Sequence, residues 1–268
     1  MSFSALTPFD ALSWQLAMGA DLCVETDPQT LRAEIKPAIS APELRTFAKS
    51  LPAGAASLPS IATAVAEARA LANAATTLAE LEEAVRSFTG CALKKTATTT
   101  VFAAGLPASK LMFIGEAPGA EEDRKGEPFV GASGQLLDLM LSYIGLNRAK
   151  NFYITNTLFW RPPGNRQPTA EELAICKPFV EKHIALVNPH TLVLVGGTST
   201  QSILGDNRGI TRLRGQVFRY HNSYMTAEVP AHVIYHPSYL LRQPLAKKQC
   251  WADLLALKSA ISVVAKPD

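Results

Sequence analysis

The sequence predicts an α/β protein, with a three-layer α/β/α domain around a central, mostly parallel four-stranded sheet and an α-helical N-terminal extension. Hydrophobic residues make up 47% of the 268 residues and charged residues 18%, which is typical of a folded chain with a large core. Only helical patterns occur before residue 90, whereas apolar runs and helical patterns alternate after it, as in sheets covered by helices on both faces. We therefore divide the chain into an extension, residues 1–90, and an α/β domain, residues 91–268.

The first 90 residues are rich in alanine and interrupted by prolines. Phe9–Ala20, Ala41–Ser50 and Ala62–Arg86 have the composition and apolar spacing of amphipathic helices, and prolines separate them. The region contains no residue pattern that indicates catalysis or ligand binding. We expect it to contribute packing.

Strands and helices alternate through residues 91–268. Apolar runs predict strands at Leu111–Gly115, Phe152–Asn156, Thr191–Val195, Val217–Tyr220 and His232–Tyr235. Helical spacing predicts helices around Ser133–Tyr143 and at Ala170–Val187, Ser199–Leu204 and Gln249–Ala260. Thr169 is expected to cap the second of these helices, with Glu172 completing a capping box. Ligands bind beyond the carboxyl ends of parallel strands, so we expect the chemistry in the loops that follow the strands.

Charge is distributed unevenly along the chain. Residues 1–90 carry 6 Lys and Arg against 10 Asp and Glu, whereas residues 91–268 carry 20 against 13. A basic domain is typical of proteins that bind polyanions such as nucleic acids. Ordinary solvated lysines and arginines would give the same count, so charge alone leaves both interpretations open.

Two further features concern membranes and redox state. No uncharged apolar run approaches the roughly 18 residues that a membrane span needs. The first basic residue is Arg32, so the N-terminus lacks the basic region of a signal peptide. We therefore expect a cytoplasmic protein without a membrane segment, whose four cysteines are thiols or ligands rather than disulfides.

Three of the loops after strands carry unusual sets of side chains. The first loop reads GEAPGAEED at Gly115–Asp123 and continues to PFVG at Pro128–Gly131. The second follows ITN at Ile154–Asn156 and reads RPPGNR at Arg161–Arg166, and the third reads HPSYLLR at His236–Arg242. Together they offer carboxylates, an aromatic ring, an amide, an imidazole and cations.

These groups suit a flat, uncharged ring that has both hydrogen-bond donors and acceptors. Phe129 can stack on such a ring, and the Asn156 amide matches an N–H beside a C=O on a pyrimidine. His236 can donate to a carbonyl oxygen on which negative charge develops. A base inside a duplex cannot reach such a pocket and must be flipped out, and Leu240 is a residue that can fill the vacated stack.

With these five motifs in this order, the chain resembles the uracil-DNA glycosylase superfamily, and within it the family 4 enzymes of bacteria and archaea. The resemblance extends from about Cys91 to Trp251 and leaves the first 90 residues outside it. It implies hydrolysis of the N-glycosidic bond between uracil and deoxyribose in single- or double-stranded DNA, which leaves an abasic site. No lysine lies in the matched motifs where a Schiff base would form, so we expect a monofunctional enzyme. We also expect the protein to be a monomer.

The resemblance also implies roles for individual residues in uracil recognition and hydrolysis. Ala117 lies in the substrate-binding loop where the commonest uracil-DNA glycosylases have an aspartate, so Glu116 and Glu122 are the candidates for activating water. Glu122 matches a family residue that faces the uracil edge. Phe129 matches the stacking aromatic residue, Asn156 the amide that reads the base, and His236 the catalytic imidazole.

DNA contacts are assigned on the same basis. Leu240 matches the intercalating leucine of the superfamily, with Leu241 and Tyr239 as alternatives. The expected phosphate contacts are Arg161, Arg166 and Arg242. Solvated surface positions would explain the three arginines equally well.

The cysteines depart from the family 4 pattern. Family 4 enzymes bind a [4Fe–4S] cluster through four cysteines, and here Cys91 and Cys176 match two of the four positions, while Phe88 and Trp160 occupy the other two. Neither aromatic residue can ligate iron. We therefore expect no cofactor, with the two cysteines as remnants and the two aromatic residues packed together in a hydrophobic plug.

Structural roles are also open to several of these residues, and so are two further functions. Asn156 and His236 at strand ends can cap helices or pair with buried carbonyls, and Phe129 can belong to the core. A second function is a protein that binds uracil or abasic DNA without turnover, because Ala117 replaces the usual water-activating aspartate. A third is a nucleotide hydrolase with a phosphate-binding glycine loop, although GEAPG lacks the lysine of a P-loop.

Overall fold

The computed structural model of the protein describes residues 60–264. The helices predicted at Phe9–Ala20 and Ala41–Ser50 lie outside the described residues. Within the described part, no helix is long and apolar enough to cross a membrane.

Strands and helices alternate through this part of the chain, as predicted. The strands are β1 (Ala103–Gly105), β2 (Leu111–Gly115), β3 (Tyr153–Asn156), β4 (Thr191–Val195), β5 (Val217–Tyr220) and β6 (Val229–Ile234). The helices are α1 (Ile61–Ala74), α2 (Leu78–Ser87), α3 (Ala120–Lys125), α4 (Ala132–Ser142), α5 (Ala170–Val187), α6 (Gly197–Leu204), α7 (Ile210–Leu213), α8 (Pro237–Arg242) and α9 (Lys247–Val264). Short 3₁₀ turns occupy Ala92–Lys95, Pro107–Ser109, Pro163–Asn165 and Pro244–Ala246.

The strands form one sheet in the order β1-β3-β2-β4-β6-β5. The four central strands β3, β2, β4 and β6 are parallel, and β1 and β5 pair antiparallel at the two edges. The predicted mostly parallel sheet is therefore confirmed, and its four parallel strands are extended to six by β5, which was predicted as a strand, and by β1. β1 was not predicted because Ala103–Gly105 is short and contains no β-branched or large apolar residue.

Side chains alternate between the two faces of the sheet and bury two separate cores. Met112 and Ile114 of β2 face a core that also contains residues of α1, α2 and α5. Leu111 and Phe113 face the other core, with residues of α4, α8 and α9. Helices on both faces of the sheet give the predicted three-layer α/β/α arrangement.

The predicted helix at Ala62–Arg86 is two helices, α1 and α2. Thr77 caps α2: its side chain accepts a hydrogen bond from the Glu80 N–H, and the Glu80 carboxylate accepts from the Thr77 N–H. This capping box starts a new helix and interrupts the pattern. α1 and α2 pack on α5 in the same core as the sheet, and the division of the chain at residue 90 stays a prediction.

The capping box predicted for α5 is confirmed. Thr169 accepts a hydrogen bond from the Glu172 N–H at 3.2 Å, and the Glu172 carboxylate accepts from the Thr169 N–H at 2.8 Å. This cap fixes the start of α5 immediately after the RPPGNR loop.

Candidate active site

A cavity of about 540 Å³ lies at the carboxyl edge of the four parallel strands. Loops that follow β2, β3, β4 and β6 all contribute to its wall, as expected for a parallel sheet. The predicted site residues that line it are Glu116, Ala117, Glu122, Phe129, Asn156, Arg166, His236 and Arg242.

Asn156 ends β3, next to Gly115 in the parallel register with β2. Its side chain is almost fully buried, and neither the amide oxygen nor the amide nitrogen has a hydrogen-bond partner in the described part of the protein. Leaving a buried amide unpaired costs a few kcal/mol. An amide left unpaired in a cavity wall is arranged for a ligand that supplies both an acceptor and a donor.

The ring of Phe129 lies close to the Asn156 amide, beside Gly115 at the end of β2. A Cβ atom placed on Gly115 would lie 2.3 Å from Cζ of Phe129 and 2.5 Å from Oδ1 of Asn156. Only glycine therefore allows the ring and the amide to approach the end of β2 together. The centroid of the Phe129 ring lies 5.7 Å from that of His236, with the planes 34° apart.

His236 follows β6 and caps α8. Its Nδ1 atom accepts a hydrogen bond from the Ser238 N–H at 3.2 Å and lies 2.8 Å from the Ser238 hydroxyl. A backbone N–H can only donate, so Nδ1 is unprotonated and the proton of the neutral ring is on Nε2. Burial lowers the pKa of His236 to about 4, with the positive charge of Arg242 acting in the same direction, so the ring is neutral near pH 7.

The two candidate glutamates have different surroundings. The Glu122 carboxylate accepts hydrogen bonds from the N–H groups of Gly119, Val130 and Gly131 at 2.8–3.0 Å. Both carboxylate oxygens of Glu122 therefore accept hydrogen bonds from backbone N–H groups. Glu116 also lines the cavity, and no group within residues 60–264 hydrogen-bonds its carboxylate. Its backbone is fixed because its carbonyl accepts from the Thr157 hydroxyl at 2.6 Å.

The structure corrects the expected position of the intercalating leucine. Leu240 is fully buried in the core between α8 and α9, which does not suit a residue that enters a DNA stack. Leu241, one residue later on the outer face of this helix, is 47% exposed, and Leu245 in the following turn is 93% exposed. Tyr239 lies in the cavity wall and packs on Tyr235.

The three predicted phosphate contacts are not equivalent. Arg242 and Arg166 line the cavity, whereas Arg161 is not part of its wall. Arg166 donates to both oxygens of Glu172 at 2.6 and 2.9 Å, and this hydrogen bonding lowers the pKa of Glu172. Arg161 donates to the Asn165 side chain at 2.7 Å. Arg166 thus connects the end of the RPPGNR loop to α5, and Arg161 connects two residues within the loop.

Two residues of the site were missed in the sequence. Ser238 sets the tautomer of His236, and its place in the HPS sequence is the signal that was available. Gly196 follows β4 with φ +98°, and a Cβ atom there would lie 2.8 Å from Cβ of His236. A side chain at this position would clash with His236, so glycine leaves room for the imidazole in the cavity wall.

The relatives of this chain among known proteins include several type-4 uracil-DNA glycosylases. A type-4 uracil-DNA glycosylase from Archaeoglobus fulgidus is 37% identical over 180 residues, which is 66% of this chain and 89% of that protein. The type-4 enzyme of Sulfurisphaera tokodaii is 38% identical over 64% of this chain and 79% of its own length. That of Thermotoga maritima is 37% identical over 60% of this chain and 82% of its own.

These relatives overturn the expectation that the protein has no cofactor. Type-4 uracil-DNA glycosylases are iron–sulfur cluster enzymes, so the relationship points to a cofactor, and the expectation drawn from Phe88 and Trp160 is wrong. The lack of two of the four cysteine ligands does not by itself show that the cluster is absent when the type-4 relatives contain one. Cys23 lies outside the described residues.

The described residues supply half of a four-thiolate set. Cys91 and Cys176 are buried side by side, and the Cys176 thiol, as donor, lowers the pKa of Cys91. Phe88 and Trp160 are buried in the same core with ring centroids 6.4 Å apart, which confirms their predicted packing. Cys250 lies in the core on the opposite face of the sheet. The donors found within residues 60–264 do not complete a cluster site, and the proposed chemistry does not depend on one.

A family model provides the last comparison. The model described as the uracil DNA glycosylase superfamily matches residues 102–255. This range contains β2, β3, β4 and β6 and every residue found in the wall of the cavity. Because the match spans more than half of the chain, the protein belongs to the uracil-DNA glycosylase superfamily, a family of enzymes.

Proposed function

We propose that the protein removes uracil from DNA by hydrolysing the N-glycosidic bond, which leaves an abasic site. The observation that carries this proposal is the convergence of Asn156, Phe129 and His236, from three distant parts of the chain, on one cavity. The similarity to type-4 uracil-DNA glycosylases supports the same conclusion.

Recognition of the base would use the unpaired amide. Asn156 donates from Nδ2 to O4 of uracil and accepts at Oδ1 from N3–H, so both buried polar atoms gain a partner. Phe129 stacks on the ring. Cytosine presents an amino group and an unprotonated N3 on this edge, so the same amide orientation would not accept it.

His236 would stabilise the leaving base. As the glycosidic bond breaks, negative charge develops on O2 of uracil, and a neutral imidazole can donate Nε2–H to it. The hydrogen bond from Ser238 N–H keeps that proton on Nε2. A donor placed in this way contributes about 3 kcal/mol to the transition state.

Glu116 is the better candidate for the water that attacks the sugar. Glu116 lines the cavity and its carboxylate has no hydrogen-bond partner within residues 60–264, whereas both oxygens of Glu122 accept hydrogen bonds from backbone N–H groups. A carboxylate that is not otherwise engaged can orient water and accept its proton. We assign Glu116 to the water and Glu122 to holding the loop that carries Phe129.

The base would reach this cavity by flipping out of the DNA. Leu241 and Leu245 are exposed apolar side chains at and just after the end of the helix that His236 caps, and they replace Leu240 as candidates to fill the gap in the stack. No lysine of the described part lines the cavity, which supports a monofunctional reaction without a Schiff base.

A cleavage assay tests this function. The protein is incubated with oligonucleotides that contain U·G, U·A or single-stranded uracil, with thymine in the same position as the control, and abasic sites are cleaved with alkali. Cleavage at uracil alone is the expected result. Tight binding of uracil DNA without cleavage would instead identify a non-catalytic binding protein, and neither binding nor cleavage would refute the proposal.

A further inference from the structure

Phe129 has an unusual backbone conformation for a stacking residue. Its φ angle is +56°, in the left-handed region that non-glycine residues adopt at a cost. Such a conformation persists only where neighbouring groups hold it. The groups that hold residues 128–131 therefore determine where the Phe129 ring lies in the cavity.

Arg148 holds the first half of this segment. Its Nη1 atom donates to the Pro128 carbonyl at 2.5 Å, and its Nη2 atom donates to the Phe129 carbonyl at 2.7 Å. Both oxygens of Asp138 lie 3.1 Å from the same Nη2 atom. The planar guanidinium thus bonds two successive carbonyls, a geometry that the single ammonium of lysine does not reproduce.

Glu122 and α4 hold the second half of the segment, Val130 and Gly131. The N–H groups of Val130 and Gly131 donate to Glu122 at 2.9 and 2.8 Å. Gly134 lets α4 approach closely, since a Cβ atom there would lie 1.8 Å from the Phe129 carbonyl oxygen. The carbonyls of Pro128 and Phe129 and the N–H groups of Val130 and Gly131 are thus all hydrogen-bonded to side chains, which holds the segment in place.

Arg148 does not touch the uracil cavity. It lines a second cavity of about 550 Å³, beside β1 and α4, with Asp138 and Phe152. Its direct link to the first cavity is its pair of hydrogen bonds to the Pro128 and Phe129 carbonyls.

We propose that Arg148 is a positioning residue for base recognition: it locks the backbone of Phe129 so that the ring is held over the base site before the base arrives. The proposal rests on the proposed function, because it takes uracil as the ligand of the cavity. A preformed stacking surface binds the base without first ordering a loop.

The variants that test this are Arg148→Met, which removes the donors and keeps the length of the side chain, and Arg148→Lys, which keeps the charge. Lys110→Met is the matched control. Lys110 is half-buried like Arg148 and donates to the Val187 carbonyl at 2.8 Å, and it lines neither cavity.

Four quantities are measured for each variant: Tm, kcat and KM on uracil DNA, the inhibition constant of free uracil, and the Kd for abasic DNA. We expect Arg148→Met to raise KM and the uracil inhibition constant by about tenfold, in line with the loss of one base-stacking contact, with the Kd for abasic DNA unchanged. Arg148→Lys restores part of the loss. Lys110→Met also removes a half-buried donor to a backbone carbonyl and leaves uracil inhibition unchanged.

Different outcomes would overturn either the role of Arg148 or the proposed function. If Arg148→Met lowers Tm and inhibition by uracil stays unchanged, as in Lys110→Met, Arg148 only stabilises the fold and the proposal is wrong. If Arg148→Met does not fold, the same comparison is made with Arg148→Lys, and unchanged uracil inhibition there overturns it. Absence of uracil release and of uracil inhibition in the wild type refutes the proposed function itself.

Discussion

At the scale of single residues, the protonation state of His236 follows from one backbone hydrogen bond. Because Ser238 N–H donates to Nδ1, the neutral ring can donate only from Nε2. Its pKa of about 4 means that this neutral donor persists well below neutral pH. A cationic imidazole is not required for the proposed reaction.

The His236→Ala variant tests this role. We expect kcat to fall by roughly 10²- to 10³-fold, because one donor to the developing charge is lost, while the Kd for uracil DNA stays within a few-fold of wild type. Single-turnover uracil release is the measurement. His190→Ala, at an exposed histidine remote from the cavity wall, is the control, and near-normal release by His236→Ala would contradict the assignment.

The two glutamates are expected to respond differently to the same substitution. Glu116→Gln keeps the shape of the side chain and removes the base for water, so kcat falls by about 10²-fold or more and Tm stays constant. Glu122→Gln places an NH₂ group opposite backbone N–H groups, so Tm falls as well. Equal loss of Tm in both variants would show that neither carboxylate is assigned correctly.

At the scale of elements, the packing of α8 separates the leucine that sequence spacing selects from the leucines that are exposed. Leu240 lies four residues after His236, like the superfamily's intercalating residue, but α8 turns it into the core beside α9. Spacing along the chain does not reveal which face of a short helix is buried. Only the packed structure distinguishes Leu240 from the exposed Leu241 and Leu245.

Alanine substitutions separate these leucines. Leu240→Ala is expected to destabilise the protein by about 2–5 kcal/mol, because it opens a cavity in the core, as measured by urea unfolding. Leu241→Ala and Leu245→Ala leave stability unchanged and lower kcat/KM on duplex DNA more than on single strands, since only a duplex has a stack to fill. An equal effect on both substrates would exclude these two residues as the wedge.

At the scale of the whole molecule, the features that could be predicted from the sequence are those with a local residue pattern, such as strands and the motifs that follow them. The four parallel strands are short apolar runs, and the motifs at their carboxyl ends predicted the site residues Asn156 and His236. The short edge strand at Ala103–Gly105 carries no such pattern. The contacts of Arg148 with Pro128 and Phe129 span 19–20 residues of sequence, and no local signal reveals them.

The fold also buries histidines that must stay neutral, which links stability to pH. Burial lowers the pKa of His183 to about 3 and that of His236 to about 4, and it lowers the pKa of His232 as well. Between these values and the unfolded value near 6.5, the unfolded chain binds more protons than the folded one. The free energy of unfolding is therefore highest above about pH 6.5 and falls as the pH is lowered toward 4.

Each of these histidines contributes a slope of up to about 1.4 kcal/mol per pH unit within that range. Urea unfolding between pH 7.5 and 4.5 measures the total, and we expect a steady decrease that begins near pH 6.5. His183→Gln removes one titrating group and makes the slope shallower, although it also loses the hydrogen bond between His183 and Tyr153 and so lowers stability at every pH. If the free energy of unfolding of the wild type is constant over this range, the histidines titrate alike in both states, and the neutral, buried imidazole assigned to His236 is wrong.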